Sequence, residues 1–251
     1  MSLLTTEAIV LRSQRLGEAD KLVTLFTIHR GKVRAVAKGA RRTRSRFGAS
    51  LEPFTRLNTV LFEGRPGTLL RINQTEILHP FTGIWKDLIV ISAAARMARL
   101  VSLMTPDAEA NFKIYHLLLK GLYQVEKNNQ DLELLTRFFE IHLLKHSGYL
   151  PRVDRCLRCG KLFGSGPIFF APSMGGMICG VCHRDGSSTL REAREPVSGG
   201  TIALLAQAAR LGLDQVDRLK AARLIRVQLQ QILEASIEHI TGRSFSRTPI
   251  Y

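Results

Sequence analysis

The sequence predicts an α+β protein of several domains: an N-terminal five-stranded barrel of the OB type, an all-helical domain, and a small four-cysteine ribbon inserted between the helices. Three observations support this fold class. The first eighty residues contain five stretches with strand patterns, apolar residues after Pro80 follow helical spacing, and two Cys-x-x-Cys pairs are separated by nineteen residues. The expected domains are residues 1–80, 81–150, 151–185 and 186–251, and the second and fourth together form the helical part.

The barrel prediction rests on short strands that follow one another closely. Alternating or β-branched stretches, bounded by turn residues, lie at 6–12, 21–27, 30–37, 57–62 and 69–77. Five strands within eighty residues are too few for most sandwiches. They fit a small OB barrel, a fold that often binds single-stranded nucleic acid. The strand count is the direct prediction, and closure into a barrel is an inference from it.

A basic segment lies in and directly after the third strand. Its seven candidate phosphate ligands are Lys32, Arg34, Lys38, Arg41, Arg42, Arg44 and Arg46. Because like charges repel, we expect the arginine-rich part to be an extended, mobile loop until an anion binds. Guanidinium groups bind phosphate through two parallel hydrogen bonds and lose hydration more easily than ammonium groups. The simpler alternative is a basic loop that is merely solvated.

Three aromatic residues lie near these basic strands and are candidates for stacking on bases: Phe26, Phe47 and Phe62. We expect Phe26 and Phe62 to belong to the barrel core instead, because each lies within a strand that alternates apolar and polar residues.

The charge of the chain favours a polyanionic partner. The net charge is +15 and the pI about 10.3, which indicates nucleic acid first and an anionic membrane second. Residues 1–48 have a net charge of +8, residues 49–150 of +1, and residues 151–251 of +6. Two basic ends on a near-neutral middle suggest more than one contact with the polyanion.

No segment of the sequence is typical of secretion or membrane insertion. The N-terminal residues do not form the pattern of a signal peptide, and the longest apolar run, 88–104, contains Arg96 and Arg99. We therefore expect a cytosolic protein with no membrane contact. In a reducing compartment the four cysteines are not expected to form structural disulfides.

Helical spacing predicts five helices in the rest of the chain, at about 83–104, 108–127, 131–147, 201–211 and 214–240. The last helix carries Arg218, Lys220, Arg223 and Arg226 in its first half. These four cations are either a solvated helix face or a second contact with the polyanion. Residues 241–251 are expected to form a loose basic tail.

The four cysteines have the spacing of a zinc ribbon: Cys156, Cys159, Cys179 and Cys182. Each Cys-x-x-Cys turn directs two sulfurs toward one point, and Gly160 allows the sharp bend after the first pair. Residues 167–172 and 174–179 are expected to form the hairpin that completes the ribbon. Four thiolates fill a tetrahedral site, so the predicted zinc is structural, with no open position for water.

The sequence gives little support for other roles of the cysteines or for catalytic activity of the chain. A deaminase zinc site requires an upstream H-x-E and a proline before the cysteine pair, and neither is present. A thiol redox motif requires a βαβ setting, which is not visible. P-loop, dinucleotide-binding and serine-nucleophile motifs are also missing from the sequence, so we expect no catalytic activity.

Several phrases resemble the RecO family of bacterial recombination mediators. Thr6-Glu-Ala-Ile-Val-Leu-Arg12, Gly17-Glu-Ala-Asp-Lys21, the lysine–glycine phrase from Gly31 to Arg42, and Leu51-Glu-Pro-Phe54 look like the N-terminal barrel of that family. The helical middle and the cysteine ribbon look like its remainder, so the resemblance covers essentially the whole chain.

This resemblance implies a protein that binds single- and double-stranded DNA without sequence preference and anneals complementary strands. It implies two partners: RecR, with which the recombinase is loaded, and the acidic C-terminal tail of single-strand-binding protein, which is held in the helical domain. It also implies a nucleoid-associated cytoplasmic location and no nucleotide hydrolysis. The seven basic residues above are the expected DNA ligands. From charge and fold alone, an RNA-binding or ribosome-associated zinc-ribbon module remains an alternative, and a zinc enzyme acting on nucleic acid is a weaker one.

Overall fold

The computed structural model describes residues 2–64, 69–127, 131–185 and 195–243. The chain divides into two compact units between residues 129 and 130. In the first unit the strands are β1 (Ser2–Leu16), β2 (Asp20–Thr27), β3 (Gly31–Ala37), β4 (Arg56–Glu63) and β5 (Leu70–His79), and the helices are α1 (Leu88–Met104) and α2 (Phe112–Lys127). The second unit contains α3 (Leu132–His146), β6 (Ile168–Ala171), β7 (Gly176–Cys179), α4 (Gly180–Arg184), α5 (Gly199–Ala208) and α6 (Arg223–Thr241).

The five strands of the first unit form the expected OB-like sheet. They pair in the order β1-β2-β3-β5-β4, and β4 pairs back with β1. All neighbours are antiparallel except β3 and β5, whose parallel ladder consists of two residue pairs, Ala35 with Leu70 and Val36 with Arg71. The β3–β5 junction is therefore the shortest link in the ring, and the predicted count of five strands is confirmed.

Strand β3 alternates cleanly between the barrel interior and its outer face. Val33, Ala35 and Ala37 are buried in the barrel core, whereas Lys32, Arg34 and Val36 point outward. Val36 is an apolar residue on the outer face, so apolar and charged residues do not alternate strictly along this strand. The strand thus directs both of its cations to the outer face of the barrel.

Helix α2 packs on the barrel through a half-buried polar cluster. Arg56 donates two hydrogen bonds to the Glu7 carboxylate, at 2.7 and 3.0 Å, and the Tyr115 hydroxyl donates to the same carboxylate at 2.6 Å. The Arg56 hydrogen bond is the main cause that lowers the pKa of Glu7. Phe26 stacks on Tyr115 with 6.1 Å between ring centroids, so apolar packing surrounds the polar cluster.

Two of the predicted helices are each divided in the structure into a 3₁₀ turn and a shorter α-helix. The predicted helix at 83–104 is a 3₁₀ turn, Thr82–Lys86, followed by α1, whose N-cap Asp87 accepts a hydrogen bond from the Ile89 N–H at 2.7 Å. The predicted helix at 214–240 is also interrupted. A 3₁₀ turn spans Leu213–Arg218, and α6 begins only at Arg223.

Tertiary contacts explain the break before α6, because residues 219–222 have no strong helix-breaking sequence. Leu213 and Val216 of the 3₁₀ turn are buried. Arg226 donates to the Ala221 carbonyl at 3.1 Å and forms an ion pair with Asp131. The predicted basic tail lies outside the described residues from 244 onward. Among the helices that the structure describes, none combines the length and apolarity needed to cross a bilayer.

Candidate nucleic-acid interface and metal centre

A row of outward-pointing arginines crosses three strands of the barrel. Arg12 on β1 pairs in register with Thr24 on β2, and Thr24 pairs with Arg34 on β3. Directly paired residues of neighbouring strands lie on the same face of a sheet. Arg12 and Arg34 are both exposed. We call this set, Arg12–Thr24–Arg34, the arginine row.

A β-bulge places Arg12 in that row. The register between β1 and β2 shifts between Val10 and Arg12, so Leu11 is the extra residue. Without the shift, Arg12 would share the inward face of Val10, which is fully buried in the barrel core. Sequence reasoning missed Arg12, because simple alternation along β1 assigns it to the inside and the bulge has no local signature.

Arg71 on β5 adds a further exposed cation to the outer face. It is in register with Val36 of β3 and with Phe62 of β4. Phe62 is therefore an outward, half-buried residue, and its predicted place in the core is wrong; its neighbour Leu61 belongs to the core instead. A cleft of about 200 Å³ lies beside Arg34 and is lined in part by Arg30, Leu69 and Leu70.

The basic segment after β3 is a chain of consecutive turns, and the expectation of an extended loop is wrong. Backbone hydrogen bonds of 3.0–3.4 Å join residues three apart, such as Ala40 with Ala37 and Ser50 with Phe47. The physical reason is that Phe47 and Leu51 are buried in the barrel core, which holds the segment against the barrel. This packing leaves the polar side of the segment exposed, including Lys38, Arg41, Arg42, Arg44 and Arg46.

Two of these cations have neighbours within the protein. Arg41 donates to the carbonyls of Gly17 and Glu18, at 3.1 and 2.8 Å, and so ties the segment to the β1–β2 turn. The Arg46 guanidinium lies over the ring of Phe47, 5.0 Å from its centroid. Within the described part of the chain, no ion pair involves the following arginines: Arg12, Arg34, Arg42, Arg44 and Arg71.

Lys32, the first of the predicted ligands, is engaged by the protein itself. Its ammonium group donates to the carbonyls of Ser102 and Thr105, at 2.6 and 2.7 Å, and pairs with Asp107 at 3.2 Å. These carbonyls belong to the C-terminal end of α1, where a cation is favourable. The Lys32 side chain is only 15% exposed. Its position indicates that it attaches α1 to the barrel.

The sulfurs of the four predicted ligands converge on one point. Cys156, Cys159, Cys179 and Cys182 have ligand atoms within 4.8 Å of one another, and β6 and β7 form the expected hairpin beside them. Gly160 has φ of +74° and donates its N–H to the Cys156 carbonyl at 2.9 Å, which makes the sharp bend predicted for it. His183 stacks on Phe169, with ring centroids 3.8 Å apart, and is not part of the cluster.

The electrostatics of the cluster suit a cation. Burial opposes ionisation of Cys156, but backbone N–H groups, among them that of Cys179 at 3.3 Å, lower the pKa of its thiol to about 6. Burial and the neighbouring sulfurs raise the pKa of Cys182 to about 12. Several thiolates are unfavourable in one small space without a positive charge. A bound metal ion removes that repulsion, so the donor set fits a metal that prefers four sulfurs.

The fold and these two sites define a class: an OB-like protein with a cationic barrel face and, in a helical unit, a four-cysteine cluster that could hold a metal ion. Residues 1–81 match the family described as "Recombination protein O N terminal", and residues 86–248 match "Recombination protein O C terminal". The chain belongs to the RecO family of DNA repair proteins.

Relatives from three bacteria agree with this assignment, and each is named "DNA repair protein RecO". The protein from Rubrobacter xylanophilus is 35% identical, with 99% of this chain and 97% of the relative covered. The protein from Nocardioides is 39% identical, with coverages of 87% and 91%. The protein from Alkaliphilus metalliredigens is 32% identical, with coverages of 94% and 92%. Family membership supports a role in recombination repair and confirms the resemblance drawn from the sequence.

Proposed function

We propose that this protein is a non-enzymatic recombination mediator. It binds single- and double-stranded DNA without sequence preference, anneals complementary strands, and helps to load the recombinase onto strands coated by single-strand-binding protein. The observation that carries this proposal is the exposed arginine row together with Arg42, Arg44 and Arg71, which have no carboxylate partner among the described residues. Guanidinium groups without a carboxylate partner, on the sheet and on the turns packed against it, are suited to phosphates at successive positions along a strand.

The proposed mechanism is electrostatic. Two complementary strands repel each other through their phosphates, and a surface that neutralises both allows their bases to meet and pair. The outer face contacts phosphates and makes no base-specific hydrogen bonds, so binding is independent of sequence. Lys32 and Arg41 support this surface by fixing α1 and the β1–β2 turn, while Arg34, Lys38, Arg42, Arg44 and Arg46 contact the strands.

Family membership and a cavity in the second unit support our proposal for the partners. We assign RecR and the acidic tail of single-strand-binding protein as partners, in the nucleoid-associated cytoplasm. A cavity of about 500 Å³ in the second unit is our candidate for the tail. It is lined by apolar groups, including Tyr149 and Met174, and by Arg152 and His239, which suit an acidic peptide with apolar side chains. Tyr149→Glu should weaken binding of a labelled tail peptide about tenfold and leave DNA binding unchanged; equal peptide affinity would reject this assignment.

We also propose that the metal is zinc and that its role is structural. Four sulfur ligands favour zinc over harder cations and leave no open position for water or substrate. When bound, the metal holds the two cysteine pairs together. Arg158 supports the same fold by donating to the Cys182 carbonyl at 2.7 Å.

Salt-dependent annealing tests the DNA proposal. The triple variant Arg34→Ala, Arg42→Ala, Arg44→Ala should anneal complementary oligonucleotides more slowly than the wild type. Its log–log slope of single-strand affinity against salt should be smaller by about 2, because each phosphate contact contributes about 0.7. Arg30→Ala is the matched control, since its guanidinium already forms two hydrogen bonds with Glu63, at 2.9 and 3.3 Å.

An unchanged annealing rate and an unchanged salt slope in the triple variant would reject the role of this surface. Competition with RNA of equal length separates DNA repair from the RNA-binding alternative, because RNA readers use the 2′-hydroxyl group. A preference for RNA would contradict the proposal.

A further inference from the structure

Trp85 is a large aromatic side chain that is partly exposed to solvent. It lies in the 3₁₀ turn before α1 and is 45% exposed. Its ring packs on Phe54, with centroids 5.5 Å apart and planes inclined by 38°. Phe54 is 4% exposed and lies outside the barrel core cluster. One ring thus supports the indole from beneath while much of the indole faces solvent.

The residue that supports the indole, Phe54, is hydrogen-bonded to β1 close to the arginine row. The Phe54 N–H donates to the Val10 carbonyl at 2.7 Å, and the Val10 N–H donates to the Thr55 carbonyl at 3.0 Å. Phe54 therefore lies against β1 at its bulge. Arg12 follows Val10 by two residues, a distance of about 7 Å along a strand. The aromatic pair is thus attached to β1 two residues before the first arginine of the row.

The chemistry around Trp85 is that of a surface for nucleotides. Its neighbour Lys86 is exposed, and Leu88 and Ile89 are exposed apolar residues one turn further along the chain. A flat apolar ring next to cations matches the two parts of an unpaired nucleotide, its base and its phosphate. Of the three aromatic residues that the sequence suggested for this role, Phe26 and Phe47 are buried in the structure and Phe62 is half-buried.

We propose that Trp85 stacks on an unpaired base of the strand whose phosphates the arginine row binds. This inference rests on the DNA binding proposed above and deepens it by naming the group that distinguishes single strands from duplexes. The bases of a duplex are already stacked on one another, so only a single strand can offer a base to the indole. Stacking is tolerant of sequence because every base has a π-face.

The fluorescence of Trp85 gives a direct test, because it is the only tryptophan in the sequence. Titration with a thymidine oligonucleotide should quench the emission, and the quenching should saturate together with the anisotropy of a labelled oligonucleotide. A duplex of equal length should bind, by anisotropy, with little quenching. Binding by anisotropy with unchanged emission overturns the stacking inference alone. The absence of any anisotropy change at low salt overturns the proposed function as well.

Variants separate stacking from packing. Trp85→Ala should weaken the affinity for the thymidine oligonucleotide by about fivefold to a hundredfold, and Trp85→Phe should restore most of it. The loss should disappear with an abasic oligonucleotide of the same length, which has phosphates and no bases. Leu162→Ala, which removes an exposed apolar residue of the second unit without a π-face, is the control and should bind normally. An equal loss on the thymidine and the abasic oligonucleotides contradicts stacking.

Discussion

Lys32 and Arg34 are two residues apart on β3 and point to the same outer face, but their charged groups have different surroundings. The Lys32 ammonium has three acceptors at the end of α1 and the loop after it, whereas the Arg34 guanidinium has no ion-pair partner among the described residues. Two residues of the same charge on the same face of β3 therefore have different roles. Lys32 connects elements of the fold, and Arg34 is available to a ligand.

This difference predicts opposite effects of the two alanine variants. Lys32→Ala should lower the free energy of unfolding by about 2 kcal/mol, because it leaves carbonyl groups and Asp107 without their cation. Arg34→Ala should change stability by less than about 0.5 kcal/mol and should weaken DNA binding. Urea denaturation and oligonucleotide anisotropy measure the two effects. A stable Lys32→Ala variant with a large loss of DNA affinity would show that Lys32 is mainly a DNA ligand.

The hairpin between β2 and β3 depends on a close approach of two backbones. Gly31 has φ of +62°, and a Cβ atom at this position would overlap the Glu109 carbonyl oxygen. Next to it, the Ala108 N–H donates to the Lys32 carbonyl at 2.8 Å. The segment between α1 and α2 thus packs directly on the hairpin.

Substitution of this glycine should be costly for a steric reason. Gly31→Ala should lower the free energy of unfolding by more than about 3 kcal/mol, since both strain and overlap contribute. Gly17 has a similar φ of +59°, but a Cβ atom there would have no other atom within 4 Å. Gly17→Ala should therefore lower the free energy of unfolding only by the cost of the positive φ, about 1–2 kcal/mol. Equal losses of stability in urea denaturation would contradict the role of the Glu109 contact.

The attachment of α2 to the barrel predicts a pH dependence. The pKa of Glu7 is lowered in the folded protein, first by its hydrogen bond with Arg56. A lowered folded-state pKa contributes stability above the ordinary glutamate value of 4.5, and this contribution is lost as the pH falls below that value. The wild type should be more stable than Glu7→Gln at neutral pH, and the difference should shrink below pH 4.5. Thermal unfolding from pH 7 to pH 3 measures this, and a constant difference across the series would count against it.

At the scale of the whole molecule, the two compact units should respond differently to loss of the metal. The four cysteines lie in the second unit, while the arginine row and Trp85 lie in the first. Metal binding contributes on the order of 10 kcal/mol to the folding of a small zinc module. The proposed zinc should therefore support the ribbon without being needed by the barrel face.

Chelation and Cys156→Ala test this division. Either change should make the ribbon sensitive to proteolysis and remove bound zinc, while the tryptophan emission of the first unit and single-strand affinity change by less than about twofold. The metal content of the purified wild type, by elemental analysis, should be close to one zinc per chain. A Cys156→Ala protein that is metal-free and fully stable would contradict the structural role of zinc.

Much of this molecule follows from local patterns in the sequence. The five strands, the helical region and the converging cysteines depend on period-two alternation, helical spacing and Cys-x-x-Cys turns, which are properties of residues close together in the chain. The excess of cations near β3 is equally visible in the sequence. These features define the fold class and the metal centre without any knowledge of distant contacts.

Only the tertiary structure decided which of these residues are free to act. Arg12 points outward because of a bulge in β1, and Lys32 is engaged because the end of α1 lies next to it. The basic segment forms turns because Phe47 is buried in the barrel core. Trp85 is exposed on a surface where Phe54 supports its ring. Each of these depends on a contact between residues far apart in sequence. The sequence pattern indicates the secondary structure and the chemical groups that the chain carries. The pairing of distant segments determines which of these side chains are buried, engaged or exposed.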